Sequence, residues 1–190
     1  MKHFFSSKIY VPLLLVIFLP TISFSQSKAS YVGLNLTHEF ESTLDNGTFG
    51  LGLTIERHFT KHSGIESGIY YRTYIYQQTL IANNSAFAFA VSEKYISFPL
   101  LYKFYSKIVN LSVGPSVDYF AGWRQKSGTG DLKVNDHSVH PNFAFGIMAK
   151  AGKSFTLSKQ LTIEPELRFN QIIPSSRHYF GLGISMKHKL

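Results

Sequence analysis

The chain has no cysteine among its 190 residues. This absence excludes disulfide bonds, thiolate metal sites, iron–sulfur clusters and cysteine nucleophiles. Many exported domains rely on disulfides for stability, so an exported chain of this composition must be held together in another way. A closed β-sheet, which has no unpaired edge, would serve.

Charged side chains are also scarce. They make up 16 % of the chain, against about 25 % in an ordinary soluble domain, and aromatic residues reach 15 %. The formal net charge is +8, and no segment resembles a membrane-spanning helix. Such a chain would cover a water-exposed surface badly, which favours a protein whose outer surface faces lipid.

Residues 1–25 have the pattern of a secretion signal. They carry two lysines and no acidic residue, then an apolar stretch at residues 9–19, and they end with Ser23 and Ser25 at the −3 and −1 positions of a cleavage site. The apolar stretch rises only about 16 Å as a helix, whereas spanning a bilayer needs about 20 residues. We therefore expect a cleavable signal peptide, followed by one domain over residues 26–190.

The dominant hydrophobic period of this domain is two. Apolar residues alternate with polar or small ones over residues 31–37, 49–56, 65–75, 95–104, 111–119, 143–151, 161–169 and 180–187. Alternation of this kind predicts strands with one apolar and one polar face. Most of these segments have about ten residues, the length that a tilted membrane-spanning strand needs.

The predicted connections alternate between long and short. The long ones are residues 38–48, 78–92 and 122–141, with a medium one at 171–177, and the short turns are 60–63, 106–107 and 157–160. Short periplasmic turns opposite longer external loops are typical of transmembrane barrels. With an even number of strands, both termini should lie on the short-turn side.

The polar face is the one that we expect inside. It is rich in glycine, which suits a crowded interior, and it carries charges of both signs that can pair with one another. The predicted interior charge network consists of Glu56, Glu66, Arg72, Lys103, Asp118, Lys150, Glu164, Glu166, Arg168 and Lys187. A charge on the lipid face would cost about 2–4 kcal/mol at the midplane. The sequence thus predicts an all-β fold, an eight-stranded antiparallel up-and-down transmembrane β-barrel with a filled lumen.

Aromatic residues cluster near the predicted strand ends. Interfacial girdles are the expected reason, because amphipathic rings favour the headgroup zone. The predicted aromatic girdle comprises Tyr74, Tyr76, Tyr119, Trp123, Phe143 and Phe180 near the long loops and Phe59, Phe104, Tyr105 and Phe155 near the short turns. Three prolines, Pro99, Pro115 and Pro165, fall inside predicted strands, where we expect bulges or bends because proline cannot donate to the ladder.

Three segments carry a family resemblance. Residues 95–103 (YISFPLLYK), the following Gly114-Pro115-Ser116 and the closing Gly181-Leu182-Gly183-Ile184 resemble the outer-membrane β-barrel domain family of bacteria, in its PorT-like branch. The resemblance extends over essentially the whole mature chain and implies an outer-membrane barrel without catalytic residues. The chain departs from the usual terminal aromatic of such barrels, because it ends in Leu190.

Catalytic, metal and cofactor sites receive little support from the sequence. The loop pairs His58 with His62 and His137 with His140 lack the three or four convergent ligands that zinc needs. A lipid hydrolase would need a serine with an oriented base, for which Ser175, Ser176 and His178, or Ser138 beside His137, are the candidates. Glu164 and Glu166 share one strand face, where ion pairing is expected rather than acid–base catalysis. No phosphate-binding glycine loop is present.

The sequence therefore predicts a non-catalytic integral outer-membrane protein with a structural, surface-interaction or envelope-assembly role and no cofactor. Its expected partners are outer-membrane lipid and other envelope proteins, with no nucleic acid. The predicted contact surfaces are the loop at residues 122–141 and the loop that contains Phe87 and Phe89. Three alternatives stay open, namely a membrane-embedded lipid-modifying enzyme, a secretion-machinery subunit and a soluble lipocalin-like ligand-binding barrel.

Overall fold

The part of the chain that the structure describes is built from β-strands. The structure is a computed structural model that describes residues 29–41, 47–82, 85–128, 142–173 and 177–190. Its strands are β1 (Ser30–Glu41), β2 (Thr48–His58), β3 (Ser63–Ala82), β4 (Ser85–Phe104), β5 (Asn110–Gly128), β6 (Phe143–Gly152), β7 (Phe155–Thr156), β8 (Leu161–Ile172) and β9 (Arg177–Lys189). The predicted signal peptide lies outside the described residues and stays a prediction. Within these ranges, no helix has the length and apolarity needed to cross a membrane.

The strands close into one antiparallel ring. Strands β1 to β6 pair in sequence order, β9 pairs with both β8 and β1, and β6 pairs with β8. The two-residue strand β7 also pairs with β8, through Phe155↔Ile163, so β6 and β7 together occupy one of the eight positions in the ring. The prediction of an eight-stranded up-and-down barrel is confirmed.

Burial alternates from residue to residue along the strands. In β9, for example, Ser185 and Lys187 are buried, whereas Ile184 and Met186 are exposed. The buried face is the polar one and the exposed face is apolar. This arrangement is the reverse of a soluble lipocalin-like barrel, whose apolar face lines the interior, and that alternative is wrong.

The expected bulges at the prolines do not occur. The β8–β9 register runs unbroken through Pro165↔Ile184. At Pro99 the β3–β4 ladder lacks two residue pairs, and at Pro115 the β4–β5 ladder does, but the same register resumes on either side. A proline removes a hydrogen-bond donor without adding a residue to its strand, so bonds are lost locally while the pairing does not shift.

Strands β3, β4 and β5 continue past the ring at the long-loop end. Phe143, the first residue of β6, pairs with Tyr119, and the β2–β3 register places Thr48, the first residue of β2, level with Tyr74. Residues 75–82, 85–92 and 120–128 therefore form a three-stranded antiparallel sheet beyond the barrel. We call this sheet the extension. Its strands run for roughly 25 Å at about 3.3 Å per residue.

The extension corrects two predicted loops. Residues 78–92 are paired strand on both sides of the β3–β4 connection, up to Ala82↔Ser85, and residues 122–128 belong to β5. A bulge lies where barrel and extension meet, because Lys94 pairs with Gly122 and Tyr95 with Phe120. Gly122 has a φ of +136°, which side-chain-bearing residues rarely adopt.

Candidate functional site

The barrel interior is the most highly charged region of the described structure. All ten residues of the predicted interior network lie on the inward face and are at most 5 % exposed. They come from seven strands of the ring, and Glu39 of β1 and Glu93 of β4 are buried with them. Buried charges persist only when they are paired and hydrogen-bonded, so their contacts describe how the lumen is filled.

The short-turn half of the lumen holds the first group of charges. We call this group the lysine–glutamate cluster, and it consists of Lys103, Lys150, Lys187, Glu56, Glu66, Glu164 and Glu166. The Lys103 Nζ atom lies 3.0 Å from Glu56 Oε2, 3.3 Å from Glu66 Oε2 and 2.7 Å from Glu164 Oε2.

The other two lysines extend the cluster around the ring. Lys187 Nζ donates to Glu56 Oε2 at 2.5 Å and to Glu164 Oε2 at 2.6 Å. Lys150 Nζ donates to Glu66 and, at 3.0 Å, to Glu166 Oε2. Each lysine bridges carboxylates from different strands, so the cluster connects β2, β3, β4, β6, β8 and β9 through side chains.

A second group lies deeper, around Glu39. Arg72 donates to Glu39 Oε2 from Nε at 2.8 Å and from Nη2 at 2.5 Å. Arg168 donates from Nη1 to Asn35 Oδ1 at 2.9 Å, and its guanidinium lies 4.7 Å from the centroid of the Tyr70 ring. Asp118 is different, because its Oδ1 is 3.6 Å from Arg72 Nη1 and neither of its carboxylate oxygens has a hydrogen-bond partner.

An aromatic layer closes the long-loop end of the lumen. Tyr74, Tyr95, Tyr179 and Ile172 are all buried and form one cluster. The Tyr74 and Tyr179 rings stack with centroids 4.0 Å apart. Tyr74 was predicted for the aromatic girdle, and that assignment is wrong. It follows Arg72 by two residues in β3 and therefore faces the lumen.

The outermost layer of the lumen is an ion pair that the sequence did not reveal. Arg177 Nη1 donates to Glu93 Oε2 at 2.8 Å, and the Tyr95 hydroxyl donates to the same oxygen at 2.9 Å. Glu39 lies two residues after the inward-facing Thr37 in β1, and Glu93 lies two residues before the inward-facing Tyr95 in β4. Continuing the alternation of β1 and β4 by one more inward position would have found both.

The other girdle residues divide into two groups. Five face outward and are exposed, namely Tyr119, Phe143, Phe180, Phe104 and Phe155. Phe59 and Trp123 are partly buried, and the side chain of Tyr76 lies outside the described part of the structure.

Tyr105 turns towards the lumen instead of the lipid. Its hydroxyl donates to Glu56 Oε1 at 2.8 Å, and its ring stacks on His58 at a centroid distance of 4.1 Å. Burial raises the pKa of the Tyr105 phenol, and the neighbouring Glu56 carboxylate raises that pKa further. The hydrogen bond to the buried Glu56 carboxylate outweighs the preference of the Tyr105 ring for the membrane interface. The predicted place of Tyr105 in the girdle is therefore wrong.

A polar pocket of about 230 Å³ opens at the short-turn mouth of the barrel, lined in part by Tyr31, Glu56, His58, Tyr105 and Asn110. His58 Nε2 lies 2.8 Å from Glu56 Oε1, and Asn110 donates to Glu164 Oε1 at 3.0 Å. His58, Tyr105 and Asn110 of this pocket are thus bonded to carboxylates of the lysine–glutamate cluster. Among the described residues, no group of three or more potential metal ligands occurs.

The candidate hydrolase residues are only partly described. The His178 ring stacks with Phe169 at a centroid distance of 6.2 Å. Ser175, Ser176, Ser138 and His137 lie outside the described residues, as does His140. The lipid-modifying alternative therefore rests on the sequence alone.

Known proteins resemble this chain in fold. No protein-family model and no curated protein matches its sequence. A major outer membrane protein from Thermus thermophilus aligns with a TM-score of 0.56 and 11 % identity over 87 % of this chain and 100 % of that one.

Two further solved structures align less closely. Ail of Yersinia pestis, in complex with the heparin analogue sucrose octasulfate, gives a TM-score of 0.48 at 12 % identity over 86 % of this chain and 97 % of its own. Neisserial surface protein A gives 0.47 at 12 % identity over the same shares. The Thermus likeness bears on the fold alone, which is that of an outer-membrane β-barrel.

Proposed function

We propose that the protein is a non-catalytic integral outer-membrane barrel with a surface-interaction or structural role. The observation that carries this proposal is the orientation of its faces, apolar outside and ion-paired inside. An apolar surface that encircles a barrel needs lipid around it, because soluble monomers rarely expose large contiguous apolar patches. A signal peptide over residues 1–25 would direct the chain to export, and the PorT-like resemblance agrees with this location.

The filled lumen argues against a pore. The lysine–glutamate cluster fills the short-turn half of the lumen, and Glu39 with Arg72 lies next to it, further from the short turns. The aromatic layer of Tyr74, Tyr95 and Tyr179 closes the long-loop end. An eight-stranded barrel leaves little more room than side chains fill. Function is therefore expected on the outside of the barrel.

The extension is the surface that we assign to contacts with partners. It stands beyond the membrane-facing band and exposes polar side chains such as Gln77, Thr79, Arg124 and Lys126. Phe89, which we expected to present itself to partners, is only 5 % exposed. The four described side chains named above are polar or basic, and the side chain of Phe87 lies outside the described part of the structure.

Membrane integration is tested by fractionation. The mature protein should remain with the outer membrane after alkaline carbonate extraction, and its unboiled band on an SDS gel should migrate differently from its boiled band. Reconstituted in a planar bilayer, it should add no steady conductance of the size that porins show. Recovery in the soluble periplasmic fraction without detergent would overturn the proposal.

The contact surface is tested by crosslinking in living cells. A photo-crosslinking amino acid at Thr79, in the extension, should give adducts with proteins or surface polysaccharide. The same amino acid at Leu53, which faces outward from the barrel and is 58 % exposed, should give lipid adducts only and serves as the matched control. If Thr79 and Lys126 both yield no adduct, the role is structural rather than one of surface interaction.

A further inference from the structure

The outer surface of the barrel contains a groove centred on β6. Its floor is formed by Ala149 and Ala151, two successive outward residues among larger apolar neighbours. Cross-strand pairing places Leu111 and Leu167 beside Ala151, and Val113 and Phe169 beside Ala149. The groove has a volume of about 770 Å³ and is open along the outer surface of the barrel.

The groove runs obliquely from the rim into the apolar band. The groove follows the row Leu111, Ala151, Leu167 and Leu182, in which each residue pairs with the next. Leu111 is the second residue of β5, next to the short-turn rim, whereas Leu182 lies in the middle of β9. Because barrel strands are tilted by about 35–45°, a row across them descends from the headgroup level into the hydrocarbon.

Two lysines stand at the rim end of this groove. Lys153 directly follows β6, two residues after Ala151, which is roughly 7 Å at about 3.3 Å per residue. Lys107 lies in the connection between β4 and β5. The Lys153 Nζ donates a hydrogen bond to the Lys107 main-chain carbonyl oxygen, so the segment after β6 touches the connection between β4 and β5.

No aspartate or glutamate side chain compensates these charges in the described turns of the rim. Residues 59–62, 105–109, 153–160 and 188–190, all of them described, contain Lys61, Lys107, Lys153, Lys159 and Lys189 but no aspartate or glutamate. The glutamates of this half of the barrel face the lumen and are paired in the lysine–glutamate cluster. The outside of the rim is therefore positive at the level of the lipid phosphates.

We propose that the barrel holds an anionic phospholipid of the periplasmic leaflet at this position. One acyl chain lies in the groove over Ala149 and Ala151, and the phosphate accepts hydrogen bonds from Lys107 and Lys153. An ammonium group binds phosphate as a point charge without demanding a fixed geometry, which suits a headgroup that moves with its leaflet. This inference rests on the proposed membrane location and adds a lipid class and a site to it.

The shape of the groove favours a lipid over a protein partner. It is bounded on its deep side by Phe169 and Phe180, whose ring centroids are 5.1 Å apart. An α-helix with its side chains is about 10–12 Å wide and would rest on the bulky rows instead of entering between them. The lysine end of the groove also lies at the surface of the leaflet, where the phosphates of the lipid headgroups are located.

The test compares the purified mature protein in detergent after incubation with vesicles of phosphatidylglycerol or of phosphatidylcholine. Lipid retained after a detergent wash is counted by native mass spectrometry. The wild type should retain phosphatidylglycerol in preference, and the double variant Lys107→Gln/Lys153→Gln should lose about tenfold in that retention. Ala149→Phe, which fills the groove from the lipid side, should lower retention of both lipids.

The matched control is Lys61→Gln/Lys189→Gln, which removes one rim charge from the β2–β3 turn and one from the end of β9. Its retention should stay close to that of the wild type. The proposal is overturned if Lys107→Gln/Lys153→Gln retains phosphatidylglycerol normally, or if the control loses as much, which would indicate a diffuse positive rim.

Each variant is also run boiled and unboiled on an SDS gel. If the wild type shows no shift and no membrane integration, the proposed function fails. If it is a folded membrane barrel without a lipid preference, only the lipid site fails.

Discussion

At the scale of single residues, the two carboxylates near Arg72 have very different environments. Glu39 accepts two hydrogen bonds from Arg72 and lies 3.5 Å from Arg168 Nε. Asp118 is buried with no hydrogen bond and contacts Arg72 only at 3.6 Å. The same guanidinium is thus well neutralised on one side and loosely on the other.

This contrast predicts opposite outcomes for two isosteric substitutions. Glu39→Gln leaves two buried arginines without their shared carboxylate and should cost about 3–5 kcal/mol of unfolding free energy. Asp118→Asn removes a charge that has no hydrogen bond and should cost less than about 1 kcal/mol. Urea unfolding in lipid vesicles, followed by the gel shift of the folded barrel, measures both. Equal losses would mean that Asp118 is paired as tightly as Glu39.

The residue scale also shows what could be predicted of the site. Each charged residue assigned to the interior lies at an inward position in the alternation of its strand. A period of two leaves only two faces to choose from, so the sequence could assign these residues correctly. Their partners could not be predicted, because Lys103 contacts carboxylates from β2, β3 and β8, and the stagger of a closed barrel decides which strands meet across the lumen. Tyr74 is a different case, because its position near a strand end suggested the girdle although its alternation with its neighbours in β3 places it in the lumen.

At the scale of the strands, the environment explains which elements the sequence reveals. Within the membrane each strand has lipid on one face and the lumen on the other, so its residues must alternate, as Leu182, Ile184 and Met186 do with their neighbours. The extension has no lipid face and needs no such alternation. Residues 122–128 consequently have the composition of a loop, and residues 78–92 have Asn83 and Asn84 between two apolar stretches, although both segments pair as strands.

The lipid face of a strand predicts a position-dependent cost for charge. Leu53 lies in the middle of β2 and faces outward, so Leu53→Lys should destabilise the folded barrel by about 2–4 kcal/mol. Thr79→Lys places the same charge on an exposed position of the extension and should change stability by less than about 0.5 kcal/mol. Folding yield into vesicles, scored by the gel shift, compares them. A similar loss for both would show that Leu53 does not face hydrocarbon.

At the scale of the whole molecule, the barrel has two chemically different ends. The extension and the Arg177–Glu93 pair mark one end, and the lysine-rich rim with both termini of the barrel marks the other. Short turns are periplasmic in such barrels, so the extension should project from the cell and the rim should face the periplasm. The lipid site proposed at Lys107 and Lys153 depends on this orientation.

The absence of cysteine makes that orientation directly measurable, since any introduced thiol is unique in the chain. Lys126→Cys lies in the extension and Lys61→Cys in the β2–β3 turn, and both positions are exposed. A membrane-impermeant maleimide added to intact cells should label Lys126→Cys and leave Lys61→Cys unlabelled. After the outer membrane is permeabilised, both should react. Labelling of Lys61→Cys alone in intact cells would reverse the barrel and place its lysine rim against the outer leaflet.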